Sequence, residues 1–257
     1  MLSISFPGPL QWLQVLAVAA IGVYTYRKDM LNAAGAFTAF VLGALIVLFT
    51  NFWWLLLLFA LLGLGSAATR FRFKEKQARK VSEKQGGRRS TRNVIANGLA
   101  PGLLAVAAPL IGRFFGPDVA GVAFVSSIAV AASDTLASEF GSLSKRVWLI
   151  TTMKRVPAGV DGGISIPGQV AALAGDTLIA LLGALFLGVL TPAPLAMRVT
   201  WLTLAIPAFC GFVGCQVDSV LGATLEGEGL FTKEETNLLS IAAGAALGFV
   251  LAIALHA

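Results

Sequence analysis

Eight stretches of this chain are apolar for longer than the core of a soluble domain requires. Spanning a hydrocarbon core takes about 20 residues of helix, with a lower bound of ~17. Runs meeting that length lie at roughly 10–26, 33–50, 52–69, 93–112, 118–140, 164–190, 199–222 and 237–256. In a bilayer every backbone polar group must be satisfied within its own segment, so such runs are helices. The chain is 57% apolar and only 12% charged, against about 25% charged in average soluble domains. With a mean hydropathy of +0.83, this excludes a water-soluble globule, a disordered chain and a disulfide-stapled module. The expected fold class is therefore all-α, a polytopic transmembrane bundle of about eight spans (seven to nine), forming a single domain over 1–257. Spans two and three meet at Thr50-Asn51 with almost no loop, so they form a tight hairpin unless one is re-entrant.

The basic residues are placed asymmetrically. Of the 19 Lys and Arg, only Arg113 and Arg198 fall in even-numbered connections. The others occupy the first connection (Arg27, Lys28), the 70–92 stretch that forms the third, the fifth (Lys145, Arg146, Lys154, Arg155) and the seventh (Lys233). The positive-inside rule then puts the odd connections in the cytoplasm and both termini on the opposite side. The first span is followed, not preceded, by basic residues, the reverse of a cleavable signal, and is expected to be retained. The basic 70–92 loop reads as a topological anchor with affinity for anionic lipid heads. A nucleic-acid role lacks the stacking aromatics it would need.

Acids inside spans are costly and mark candidate sites. Asp134 and Glu139 lie near the end of the fifth run, in SDTLASE, and Asp218 near the end of the seventh, in DSVLGAT. These two runs point the same way, so both ends reach one face at similar depth. Carboxylates with neighbouring hydroxyls, Asp134 with Thr135 and Asp218 with Ser219, suit a hard cation such as Mg²⁺. Between them runs KRVPAGVDGGISIP, 154–167. Here Gly159, Gly162 and Gly163 allow close backbone approach to an anion, and Ser165 caps the next helix, with Pro167 in its first turn. Lys154 and Arg155 add charge, which together makes a candidate phosphate-binding loop. Asn93 and Asn97 share a face of the fourth run at i, i+4. Asp176 stands apart, about 18 Å of helix beyond Ile164. The single histidine, His256, is next to the C-terminus, so a buried His base or ligand is excluded. Cys210 and Cys215 have neither redox nor zinc spacing.

The blocks NVIANG (93–98), SDTLASEFG (133–141), KRVPAGVDGGIS (154–165) and DSVLGATLEG (218–227), followed by Asn237-Leu238-Leu239-Ser240, resemble the DUF92 membrane proteins. That family includes phytyl-phosphate kinases and the transmembrane protein 19 group. The resemblance covers most of the chain from about residue 30. It implies an enzyme that phosphorylates a prenyl (phytyl or polyprenyl) monophosphate to the diphosphate, with CTP as donor and Mg²⁺. In that role Asp134, Glu139 and Asp218 would be catalytic, and the glycine loop with Asn93 and Asn97 would contact substrate and nucleotide phosphates. Two positions depart from the family's pattern: Asp161, where an amide is expected, and Asp176, where a small apolar residue is usual. The chemistry agrees with the implication. A lipid phosphomonoester has a second pKa near 6, so it attacks without a general base and the absent histidine is not missed. Two readings from other classes compete. One is a secondary transporter, suggested by broken helices and mid-span acids. The other is a CTP-using cytidylyltransferase, which would release pyrophosphate.

Overall fold

The computed structural model describes residues 8–79, 81 and 90–256. Lys80, Lys84, Arg88 and Arg89 of the basic stretch lie outside the described residues. Each of the eight apolar runs is a helix: α1 (Pro9–Arg27), α2 (Ala33–Phe49), α3 (Phe52–Arg70), α5 (Thr91–Phe115), α6 (Pro117–Gly141), α7 (Ile166–Gly183), α8 (Trp201–Leu221) and α9 (Lys233–Ala254). α7 runs on through a wider π-helical stretch to Leu190, and α8 through another to Glu226. Six of them are long and apolar enough to cross a membrane: α3, α5, α6, α7, α8 and α9 with their extensions. α2 is a shorter apolar helix. α1 is long enough, but Gln11, Gln14, Tyr24 and Tyr26 dilute its apolar surface. The protein is a polytopic helical membrane bundle.

Helix starts follow local chemistry. Asn32 accepts from Gly35 N–H at 2.7 Å and Asn51 from Trp53 N–H at 2.9 Å. Side-chain oxygens there satisfy N–H groups that a helix leaves unpaired. Asn51 is also why α2 and α3 can be joined so tightly: it caps α3 one residue after Thr50 ends α2, giving a helical hairpin. Ser165 caps α7, Thr200 caps α8, and Thr232 forms a reciprocal box with Glu235 on α9.

The centre of the bundle is α6, where every residue from Asp118 to Ser133 is buried. Between Val119 and Ser133 it is Ala, Val, Gly and Ser apart from Phe124 and Ile128, so neighbouring backbones come close. Gly214 of α8 and Gly244 of α9 both abut the one side chain of Val130. Helices α3, α5, α7, α8 and α9 all pack on α6, whereas α1 and α2 pack further out. At one end Asp118 takes two bonds from Arg198, N–H and Nε–H, each at 2.5 Å, and so fastens the α7–α8 connection to the start of α6.

The other end carries the polar connections, and here the sequence left two elements unseen. The 70–92 stretch begins with a short helix, α4 (Phe73–Ala78), rather than a loop. The α6–α7 connection folds into a small antiparallel sheet of β1 (Val147–Leu149), β2 (Arg155–Val156) and β3 (Gly163–Ile164), in the order β2-β1-β3. Each strand is two or three residues long, below what periodicity can reveal.

Candidate functional site

The polar end of the bundle is organised around the C-terminal parts of α6 and α8. Asp134 and Asp218 project from these adjoining helices, and their carboxyl groups face one another at hydrogen-bonding range. Asp218 Oδ1 also accepts from Ser240 Oγ–H of α9 at 2.9 Å, and Lys233 lies close enough to act on it electrostatically. Three helices therefore build the pair. Thr135 and Ser219 follow their Asp neighbours as expected. The Thr135 hydroxyl donates to Ala131 O at 2.8 Å, which fixes the rotamer and leaves oxygen lone pairs available.

The glycine loop reaches this centre at one point. At Gly162 (φ +72°) a Cβ would lie 2.5 Å from Ser219 O and 2.6 Å from Ala223 N, so the loop backbone rests directly on the helix turn that carries Asp218. Gly163 pairs in β3 against Leu149, and Ser165 Oγ accepts from Gly168 N–H at 3.3 Å to start α7. Gly159 (φ +87°) faces the side chain of Val81. Lys154 and Arg155 are not drawn in with the glycines. They are exposed on the sheet, and the Arg155 guanidinium sits 5.9 Å from the Trp148 ring centre. The backbone and the cationic side chains of the loop thus occupy different places.

Glu139 is also turned away. Five residues beyond Asp134, it is buried, and both of its oxygens are taken, by Thr69 Oγ–H at 2.6 Å and Lys76 Nζ at 2.5 Å. A place in the shell of the Asp pair is not what the structure gives it. Asn93 caps its own helix, accepting from Ser90 N–H, and Asn97 donates to Asn93 O. Both line a mainly apolar cavity of about 60 Å³ between α2, α3 and α5, with Leu42, Leu58 and Phe59. α5 and α6 form a hairpin about Gly116, and Asn97 and Asp134 lie about equally far from that turn, hence at similar depth.

Asp176 is closer to the site than its position in α7 suggested. Its Oδ2 accepts from Ser133 Oγ–H at 3.2 Å, on the residue next to Asp134. Its Oδ1 is buried without a hydrogen-bond partner, against Gly211 of α8. Glu226, in the extension of α8, stands within electrostatic range of Asp161, Lys233 and Asp134. Ser240 and Glu226 are the contributors that sequence reasoning left out of the site. Ser240 was signalled only by lying in the Asn237–Ser240 block.

Among the described residues, no three His, Cys, Asp or Glu side chains converge to enclose an ion by themselves. The donor set does fit Mg²⁺, which is commonly held by one or two carboxylates and completed by substrate phosphates and water. Two facing carboxylates repel, and a divalent cation between them removes that repulsion.

Fold and site together define a helical membrane protein with an acidic, glycine-edged centre at one end of its bundle. Residues 16–252 match the family described as integral membrane protein DUF92, and the chain belongs to that family. It is 32% identical to the uncharacterized membrane protein MJ0933 of Methanocaldococcus jannaschii, over 93% of each chain. It is 33% identical to the uncharacterized membrane protein sll0875 of Synechocystis, covering 95% of this chain and 91% of the relative. Protein VTE6, chloroplastic, of Arabidopsis thaliana is 31% identical over 86% of this chain and 65% of its own length. No solved structure matches.

Proposed function

We propose that the protein is a phosphotransferase that uses CTP and Mg²⁺ to convert a prenyl monophosphate, phytyl or polyprenyl, to the diphosphate. The observation that carries this reading is the facing pair Asp134 and Asp218, with the backbone of Gly162 set against the turn that holds Asp218. Membership of DUF92, the family whose resemblance implies phytyl-phosphate kinase activity, supports it.

Mg²⁺, when bound, would neutralise charge on the donor phosphates. Asp134 and Asp218 would hold it, and Ser240 keeps the Asp218 carboxylate in one orientation. Thr135 and Ser219 are the nearby hydroxyl oxygens; the Gly163 N–H already donates to Val160 O at 3.0 Å, so the loop backbone at Gly162 would supply the anion-facing edge. The acceptor phosphate is already anionic at neutral pH, so the chain has to position two polyanions and exclude water. Its prenyl tail stays among the apolar spans. Purified protein with CTP and a prenyl monophosphate should release CDP. Pyrophosphate instead would identify a cytidylyltransferase, and neither product would favour transport.

The site end is assigned to the cytoplasm, where nucleotide is available, on the strength of the basic connections. Ala78 is exposed on α4, and Cys210 and Cys215 are buried, so Ala78→Cys gives a clean label site. In intact cells an impermeant maleimide should leave it unlabelled until the membrane is opened. Rapid labelling from outside would invert the topology.

Asp176 tests the transport reading, because its unpaired oxygen in the bundle interior is what favours it. Asn at this position can still accept from Ser133. Asp176→Asn should therefore keep CDP formation within roughly three-fold, an effect under 1 kcal/mol on the barrier. A folded variant that loses turnover would move the working site deeper into the bundle.

A further inference from the structure

Lys76 is a cation buried to 1% exposure in a segment that otherwise reads as a solvated basic run. Its ammonium donates to Ala68 O at 2.8 Å, at the end of α3, and to Glu139 Oε2 at 2.5 Å on α6. The second carboxylate oxygen of Glu139 accepts from Thr69 at 2.6 Å. Arg79 of the same segment donates to Leu143 O at 2.8 Å, and Phe71 stacks on Phe140 with centres 5.2 Å apart. The strap from Arg72 to Arg79 is thus fastened to the last turns of α6, five residues from Asp134. Val81, whose N–H bonds Lys76 O at 3.0 Å, then bears on Gly159. Three residues later Gly162 meets α8 beside Asp218. The glycine loop is held from two sides, by Val81 and by α8.

Burying a charge pair needs a reason beyond stability, since desolvation offsets much of the Coulomb attraction. A pair that reaches through α4 to α6 instead specifies one seating of the strap. We propose that Lys76 and Glu139 are positioning residues that latch the strap onto α6, and that through Val81 the latch sets where the glycine loop lies relative to the Asp134–Asp218 pair. The loop's assigned work, meeting the phosphates, rests on the phosphotransferase reading. The latch itself does not.

Two measurements separate these. In a Val81→Cys background the thiol is half-covered by Gly159, and a water-soluble maleimide reports that cover without any turnover. Adding Lys76→Met leaves Glu139 buried with its Thr69 bond but without its counter-charge, so the strap should release and labelling should accelerate roughly ten-fold, as opening of a local segment exposes the thiol. In the otherwise wild-type chain, Lys76→Met should raise KM for CTP or prenyl phosphate roughly ten-fold with kcat within about three-fold, the split expected when binding geometry and not chemistry is lost. Replacing the whole pair, Lys76→Met with Glu139→Met, keeps an apolar contact of similar volume and should return labelling rate and KM towards wild type. If Lys76→Met does not fold, Val81→Gly removes the loop contact with the charge pair intact and should give the same KM rise. Unchanged labelling in Lys76→Met, or unchanged KM in Val81→Gly, overturns the proposal. So does a folded double variant whose kcat collapses while labelling stays slow, because Glu139 would then be acting in the chemistry. A wild-type protein that forms neither CDP nor pyrophosphate rejects the phosphotransferase reading, and the labelling comparison still decides the latch.

Discussion

Asp134→Asn and Asp218→Asn should each lose at least ~100-fold in turnover, about 2.7 kcal/mol of transition-state stabilisation. Asn keeps the size of Asp and can still hydrogen-bond. What it removes is one of the two facing carboxyl groups, which come from α6 and α8, that of Asp218 being held by Ser240 from α9. If both carboxylates hold one cation they act as a single unit with it, and members of such a unit do not contribute additively. The double variant should therefore be little worse than either single one. Lys154→Ala and Arg155→Ala should remain partly active, because both side chains are exposed on the small sheet and the loop backbone meets α8 without them. The measurement is steady-state CDP formation against Mg²⁺ concentration, on variants shown to be folded. Wild-type rates with unaltered Mg²⁺ dependence in both Asp variants would end the metal assignment.

The helices were legible because membrane spanning imposes length and apolarity on each segment separately. Runs at 33–50 and 52–69 became α2 and α3 to within a residue or so, and even their abrupt junction was marked by Asn51, a capping residue. The pairing of Asp134 with Asp218 was legible for a related reason: both lie at the ends of spans running in one direction, which puts them at one depth. Neighbourhood around the bundle was not legible. Nothing local to Ser240 says that α9 lies against Asp218, and nothing local to Ser133 says that Asp176 of α7 will reach it. Lys76 shows the limit most sharply. A lysine among nine other Lys and Arg residues between 70 and 92 reads as solvated, and only the approach of α4 to the end of α3 and to Glu139 makes it a buried partner. Lys154, Arg155 and the glycines are contiguous in sequence, yet a strand two residues long separates their surroundings, too short for any pattern to announce.

Gly162→Ala should be nearly as damaging as the loss of either aspartate, and for a purely steric reason. Gly162 has φ +72°, a left-handed conformation that costs a residue with a Cβ roughly 1–2 kcal/mol. That alone is tolerable. The larger effect is contact: a methyl there would stand 2.5 Å from Ser219 O and 2.6 Å from Ala223 N, and both are backbone atoms of the α8 end. Gly222 shows the same approach from the other side, since its own Cβ would meet Gly162 N at 3.1 Å. Neither backbone can yield without moving the turn that carries Asp218, so the loop has to lift away. A displacement of about 1 Å at a site of this kind can cost on the order of 100-fold in rate. Gly229 supplies the control. Its φ of +74° is almost the same, but nothing lies within 4 Å of its Cβ direction, so Gly229→Ala carries the conformational cost alone. It should keep turnover within about two-fold, with a loss of about 1 kcal/mol in stability. Thermal melting of both variants, read beside CDP formation, separates strain from displacement. If the two substitutions lower stability equally and leave activity alike, the glycine loop does not work at the Asp134–Asp218 centre, and the anion-binding edge must be sought elsewhere on the bundle end.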